Sequence, residues 1–230
     1  MLSAIIVAGG SSRRMGFDKT FAILAGKPVI AHTIAAFEAA ESVTEIIIVG
    51  REERLKDLDE IAEIERSAKV RAAVAGGSRR QDSVANGLKF LGKAARFVAV
   101  QDAARPLVRP QQIERVFDAV QRQGAASLAA PVRDTLKRAD ADHFVTGGIE
   151  REDLFAMETP QIFARDLLRR AYEFVEKNGL SITDDVSAVE QLKHKVLLVP
   201  NDLPNFKITY PADLALAEFV LRERDSKAAN

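Results

Sequence analysis

The sequence predicts an α/β fold, Rossmann-like, with a mostly parallel twisted sheet, helices on both faces and a protruding β-arm. Three observations predict it. Short apolar or β-branched runs alternate with amphipathic stretches from residue 2 to residue 132. Glycine-rich or basic segments follow the ends of several of those runs, where the ligands of such sheets bind. From 132 to 159 the rhythm stops, and the chain turns polar with turn signals at ADAD and TGG.

The run LSAIIVA at 2–8 reads as a buried strand, ended by Gly9-Gly10, where the absence of a side chain lets something approach the backbone. A helix is expected over 27–40, a strand at EIIIVG (45–50), a helix over 52–66 and a strand at KVRAAV (69–74). A helix near 80–92, the strand ARFVAVQD (95–102), a helix near 110–123 and the strand AASLAAPV (125–132) continue the series. The stretch 132–159 reads as a hairpin arm, because so long a connection inside a compact domain is functional or an interaction element. Helices near 164–177 and 184–193, a strand KVLLVP (195–200), a short FKITY segment and a helix over 211–224 complete it, with 226–230 a frayed tail. No repeat or linker divides the chain, so residues 1–230 read as a single domain.

Composition narrows the function classes. Lys plus Arg and Asp plus Glu both total 33, so no global field holds nucleic acid or an anionic membrane, and any anion site is local. The absence of cysteine removes disulfides, thiolate nucleophiles and Cys-based zinc sites. His32, His143 and His194 form no ligand pair of the HExxH kind. With no export signal at the start and no apolar stretch of membrane-spanning length, a cytoplasmic protein is expected.

Three segments at strand ends carry the chemistry. In GGSSRRMGFDK the hydroxyls of Ser11 and Ser12 and the charges of Arg13, Arg14 and Lys19 suit an anion. The spacing is neither the P-loop nor G-x-G-x-x-G. An extended loop around a triphosphate fits it: backbone N–H groups hold oxygens, while Arg14 and Lys19 neutralise charge as a bond to the α-phosphorus forms. In GGSRRQDS, Asp82 reads as a cap of the following helix, and Gly77 and Ser83 as ligand contacts flanking the same crevice. Asp102, opening DAARP, can hold Mg²⁺ or can simply pair with Arg105. Thr135, Arg151 and Thr159 taken singly look like surface polarity or caps, and ITDDVSAVE reads as a helix cap followed by acids suited to the dipole.

Taken in order, AGGSSRRM, GGSRRQDSV, DAARP, APVRDTLKRA, TPQIF, TDDVSAVE and FKIT resemble the 2-C-methyl-D-erythritol 4-phosphate cytidylyltransferases over essentially the whole chain. The resemblance implies transfer of CMP from CTP to a polyol phosphate with release of pyrophosphate, in non-mevalonate isoprenoid synthesis. It implies Mg²⁺ as cofactor and a homodimer joined through the arm at 132–159. Residue by residue, it implies that Arg14, Lys19 and Lys207 are catalytic and that Asp102 helps hold the metal. Ala8, Gly9, Gly10, Gly77 and Ser83 would bind the nucleotide. Arg105, Thr159 and Lys207 would meet the polyol phosphate, with Thr135 and Arg151 reaching in from the partner's arm.

Two stretches depart from the family pattern. GFDKT places Lys19 closer to Arg14 than the usual longer segment ending in P-K-Q, and PNFK stands where D-N-I-K is common, leaving Asp202 as a nearby acid. The short loop also resembles molybdenum-cofactor guanylyltransferases, which use GTP, but DAARP, PVRDT and TPQ argue against them. Ribitol 5-phosphate cytidylyltransferase shares the nucleotide chemistry and a similar arm. A catalytically idle binding module is opposed by the joint presence of Arg14, Lys19, Asp102, Arg105 and Lys207.

Overall fold

The computed structural model describes residues 1–10 and 15–228. The strands are β1 (Leu2–Val7), β2 (Ile23–Leu24), β3 (Lys27–Pro28), β4 (Val43–Gly50), β5 (Val70–Ala75), β6 (Phe97–Asp102), β7 (Ala125–Pro131), β8 (Leu136–Ala139), β9 (Val145–Ile149), β10 (Phe155–Ala164) and β11 (Leu197–Pro200). The helices are α1 (Val29–Ala39), α2 (Leu55–Ile64), α3 (Arg80–Phe90), α4 (Pro110–Gln123), α5 (Arg165–Lys177), α6 (Asp185–Glu190) and α7 (Pro211–Ala228). A seven-stranded sheet in the order β11-β7-β10-β6-β1-β4-β5 forms the centre. All its pairings are parallel except those of β10, which runs against both β6 and β7.

The central strands β1, β4 and β6 are buried on both faces because they are largely apolar at successive positions, whereas the edge strands β5 and β11 are partly exposed. In β1, Ala4 and Ile6 face α1, α2 and α4, while Ile5 faces α3, α5 and α6. In β4, Ile46 and Ile48 divide from Ile47 and Val49 in the same way. α4 begins at Pro110, whose fixed φ suits the first turn, and ends at Gly124, which adopts φ 78° and donates its N–H to Val120 O at 2.8 Å. A third cluster, around Met15, Leu24, Leu107, Ile208 and Ala217, seats α7 against the small β2–β3 hairpin.

The stretch expected to be arm divides in two. β8 and β9 form a separate hairpin of antiparallel strands, whereas Phe155–Ala164 enters the central sheet as β10. Sequence periodicity misses β10 because Glu158, Thr159 and Gln161 are polar and yet buried. Each is satisfied inside the protein. Gln161 Oε1 accepts from Asp185 N and Val186 N, Thr159 Oγ1 from Asp102 N, and Glu158 Oε2 from the side chains of Asn201 and Asn205. The β2–β3 hairpin is likewise absent from the sequence reading.

Candidate active site

The ends of β1 and β6 meet where the strand order reverses: α1 leads from β1 to β4 on one side, and α3 brings the chain back from β5 to β6 on the other. A ligand crevice belongs at such a switch point. The register sets Val7 opposite Asp102, and pairing continues past the strands, with Ala103 N donating to Val7 O at 3.0 Å and Ala8 N to Val49 O at 2.7 Å. A cleft of about 340 Å³ opens there. Ala8, Gly9 and Gly10 line it just past β1, Gly77 from the turn into α3 and Ser83 from the start of α3, and Lys19, Asp102 and Lys207 close its charged end. Arg14 lies outside the described residues.

The β5–α3 turn is held by its own polar groups. Gly77 N donates to Ser83 Oγ at 3.1 Å, and that hydroxyl donates to Arg79 O at 3.2 Å, which leaves it an acceptor site for a ligand. A Cβ on Gly77 would fall 2.3 Å from Asp82 Cβ, so the close turn requires glycine. Asp82 accepts from Arg79 N at 3.1 Å, the capping role expected of it.

At the charged end, Asp102 Oδ2 lies 2.8 Å from Lys207 Nζ and 3.7 Å from Arg105 Nε, while Oδ1 lies 3.3 Å from Arg80 Nε. Burial alone would push the Asp102 carboxyl up, but Lys207, Arg80 and Arg105 together hold it well below the usual carboxylate range. Lys19 Nζ donates to Ile208 O at 2.8 Å, beside Lys207 in sequence. The short loop is braced from the far side: Asp18 pairs with Arg51 and accepts from Thr20 N at 3.1 Å, and the Arg54 guanidinium lies 3.8 Å from the Phe21 ring centre. These contacts position Lys19 at the cleft without the longer segment.

None of the remaining predicted residues lines the cleft: Arg105 and Thr159 stand behind it, against Asp102, and Thr135 and Arg151 belong to the separate hairpin. Arg105 donates to Asn205 O at 2.8 Å and Met157 O at 3.1 Å, tying the 205–208 segment to β10. Thr159 is buried behind Asp102. Thr135 and Arg151 are exposed at the foot of the β8–β9 hairpin, where Arg151 donates to Arg133 O. Asp202 is exposed 3.7 Å from Arg133 and does not join the cleft.

Mg²⁺ fits this donor set only with ligands supplied by a substrate. Among the described residues, Asp102 is the single carboxylate lining the cleft, and no group of three or more potential metal ligands occurs. Mg²⁺ is usually held in this way, by one or two carboxylates and substrate phosphates.

Sequence reasoning missed Arg80, whose partners Asp102 and Asp185 lie far along the chain. It also read Asp185 only as a residue suited to the helix dipole, although Asp184 supplies the cap, accepting from Ser187 N at 3.0 Å, and Asp185 turns inward. No local signal marks either role.

The family model described as 2-C-methyl-D-erythritol 4-phosphate cytidylyltransferase matches residues 2–223. A protein of that name from Dehalococcoides mccartyi strain CBDB1 is 40% identical over 223 residues, covering 96% of each chain. A structure of the enzyme of that name from Thermus thermophilus superposes with TM-score 0.78 at 31% identity, covering 95% of this chain and 98% of the other. That of 4-diphosphocytidyl-2C-methyl-D-erythritol synthase from Anaerococcus prevotii gives TM-score 0.85 at 28% identity, covering 96% of both.

Proposed function

The chain belongs to the 2-C-methyl-D-erythritol 4-phosphate cytidylyltransferase family, and from that premise we propose how its residues divide the work. The reaction is transfer of CMP from CTP to 2-C-methyl-D-erythritol 4-phosphate, giving 4-diphosphocytidyl-2-C-methyl-D-erythritol and pyrophosphate for isoprenoid synthesis. A phosphate oxygen of the polyol attacks the α-phosphorus of CTP, the bond from that phosphorus to the bridging oxygen breaks, and pyrophosphate leaves. Both reactants are anions, so placement and charge neutralisation do most of the chemistry.

Lys207 carries the reading: its ammonium stands 2.8 Å from Asp102 at the charged end of a glycine-lined cleft, with Lys19 anchored on the neighbouring carbonyl of Ile208. Lys19 and Lys207, with Arg14, neutralise charge at the pentacoordinate phosphorus. Backbone groups at Ala8, Gly9, Gly10 and Gly77, with the Ser83 hydroxyl, read cytosine. Arg105 and Thr159 brace the side that meets the polyol phosphate. Asp102 and the triphosphate would hold Mg²⁺, which supplies charge neutralisation on the pyrophosphate side. Thr135 and Arg151 complete the site of a two-fold partner through the β8–β9 arm. A chain without cysteine suits work in the reducing cytoplasm.

A pyrophosphate-release assay crossing CTP, UTP, ATP and GTP with methylerythritol phosphate and ribitol phosphate tests the substrate reading. Release is expected with CTP and methylerythritol phosphate. Equal turnover of GTP, or of ribitol phosphate, overturns it.

A further inference from the structure

Arg80 joins the cleft to the protein interior. Its Nε lies 3.3 Å from Asp102 Oδ1 and its Nη2 2.8 Å from Asp185 Oδ2. Asp185 is fully buried in the first turn of α6 and accepts on its other oxygen from the Tyr172 hydroxyl of α5. The backbone carrying it is fixed by β10, since Asp185 N and Val186 N both donate to Gln161 Oε1 at 3.1 Å. On the cleft side, Asp102 Oδ2 holds the Lys207 ammonium at 2.8 Å. One guanidinium therefore spans two carboxylates, one facing the cleft and one inside the core.

A buried ion pair adds little net stability once its desolvation is counted, so this arrangement is poorly explained as a staple. It does give Asp102 a fixed place. We infer that Arg80 is a positioning residue of the transfer: braced by Asp185 and Tyr172, it fixes Asp102 and, through Asp102, the Lys207 ammonium at the reacting phosphorus. The inference rests on the reading that Lys207 serves the reaction. A displacement of about 1 Å at a reacting centre can cost on the order of 10²-fold in rate. Lysine cannot replace Arg80 here, because a point charge does not reproduce the planar fork that meets two carboxylates.

The test is a double-mutant cycle on the single-turnover rate with CTP and methylerythritol phosphate, with a melting temperature for each variant. Arg80→Lys and Asp185→Asn are expected to slow the chemical step about 10- to 100-fold, and Tyr172→Phe several-fold. Asp185→Asn and Tyr172→Phe, which lie off the cleft, leave the KM for CTP within about twofold. In a Lys207→Ala background at saturating Mg²⁺, where the hold of Asp102 on the metal does not limit the rate, adding Asp185→Asn or Tyr172→Phe changes the rate by less than about twofold, since the group they position is gone. Losses that multiply in that background overturn the inference and reduce the network to a structural role. Full activity of Arg80→Lys and Tyr172→Phe beside a slow Lys207→Ala overturns it while sparing the reading of Lys207. A Lys207→Ala protein at wild-type rate overturns both. If Asp185→Asn fails to fold, Tyr172→Phe, which keeps the buried ring, carries the cycle.

Discussion

Asp102 and Glu158 are both buried carboxyls that shift in opposite directions: the cations around Asp102 outweigh its burial, whereas burial outweighs the partners of Glu158. Asp102 faces Lys207, Arg80 and Arg105, so its carboxyl sits below the usual range despite burial. It supports the fold above the ordinary carboxylate pKa, and that support is lost as pH falls below it. Glu158 is raised by burial, and the amides of Asn205 and Asn201 with the more distant Arg105 only partly oppose this. Folded Glu158 holds its proton at a pH where the unfolded chain has released it, so its contribution falls as pH rises through that interval. Glu158→Gln keeps an oxygen for Asn201 and Asn205, which donate at 2.8 and 3.1 Å, without the charge. The variant is expected to melt above wild type at neutral pH, with a gap that closes in acid. Calorimetry between about pH 5 and 8 checks this; a gap independent of pH, or of the opposite sign, contradicts it.

At the scale of elements, two glycines separate packing from ligand approach. α3 crosses the sheet so closely at Gly87 that a Cβ would lie 2.9 Å from both Ile5 Cγ2 and Val49 Cγ2. Gly87→Ala is therefore expected to destabilise the protein by about 1–3 kcal/mol, the usual cost of overpacking. Among the described residues, a Cβ on Gly10 meets nothing within 4 Å. Gly10→Ala should leave unfolding unchanged and weaken CTP binding, because the added methyl meets none of the described residues while Gly10 lines the cleft. Urea unfolding paired with CTP titration tests both, and a Gly10→Ala protein that binds CTP normally removes Gly10 from the nucleotide site.

At the scale of the whole molecule, the β8–β9 hairpin leaves Phe144 and Val145 71% and 66% exposed. An isolated hairpin of two strands is marginal in water, so the arm needs a surface to pack on. With a two-fold partner as that surface, Arg151 of one chain and Lys19 of the other serve one site. Mixing inactive Arg151→Ala and Lys19→Ala proteins is then expected to restore activity, in about a quarter of the sites at equal amounts. No recovery after verified subunit exchange means that Arg151 does not build a neighbour's site.

The sequence by itself determined most of the sheet and the glycine turns, because each rests on a local period or on backbone freedom within a few residues: β1, β4, β5, β6, β7 and β11 all lie within or close to the expected runs. It also assembled the cleft residues from Ala8 to Lys207 by family pattern, and the structure brings Lys19, Asp102 and Lys207 to one end. Only the tertiary structure decided β10 and the Tyr172–Asp185–Arg80–Asp102 network. A polar residue reads as surface until its partners are known, and those of Glu158 Oε2, Gln161 Oε1 and the Arg80 guanidinium lie 22 to 105 positions away in sequence. Burial of such groups is set by where distant hydrogen-bonding partners meet, and no local period records that meeting.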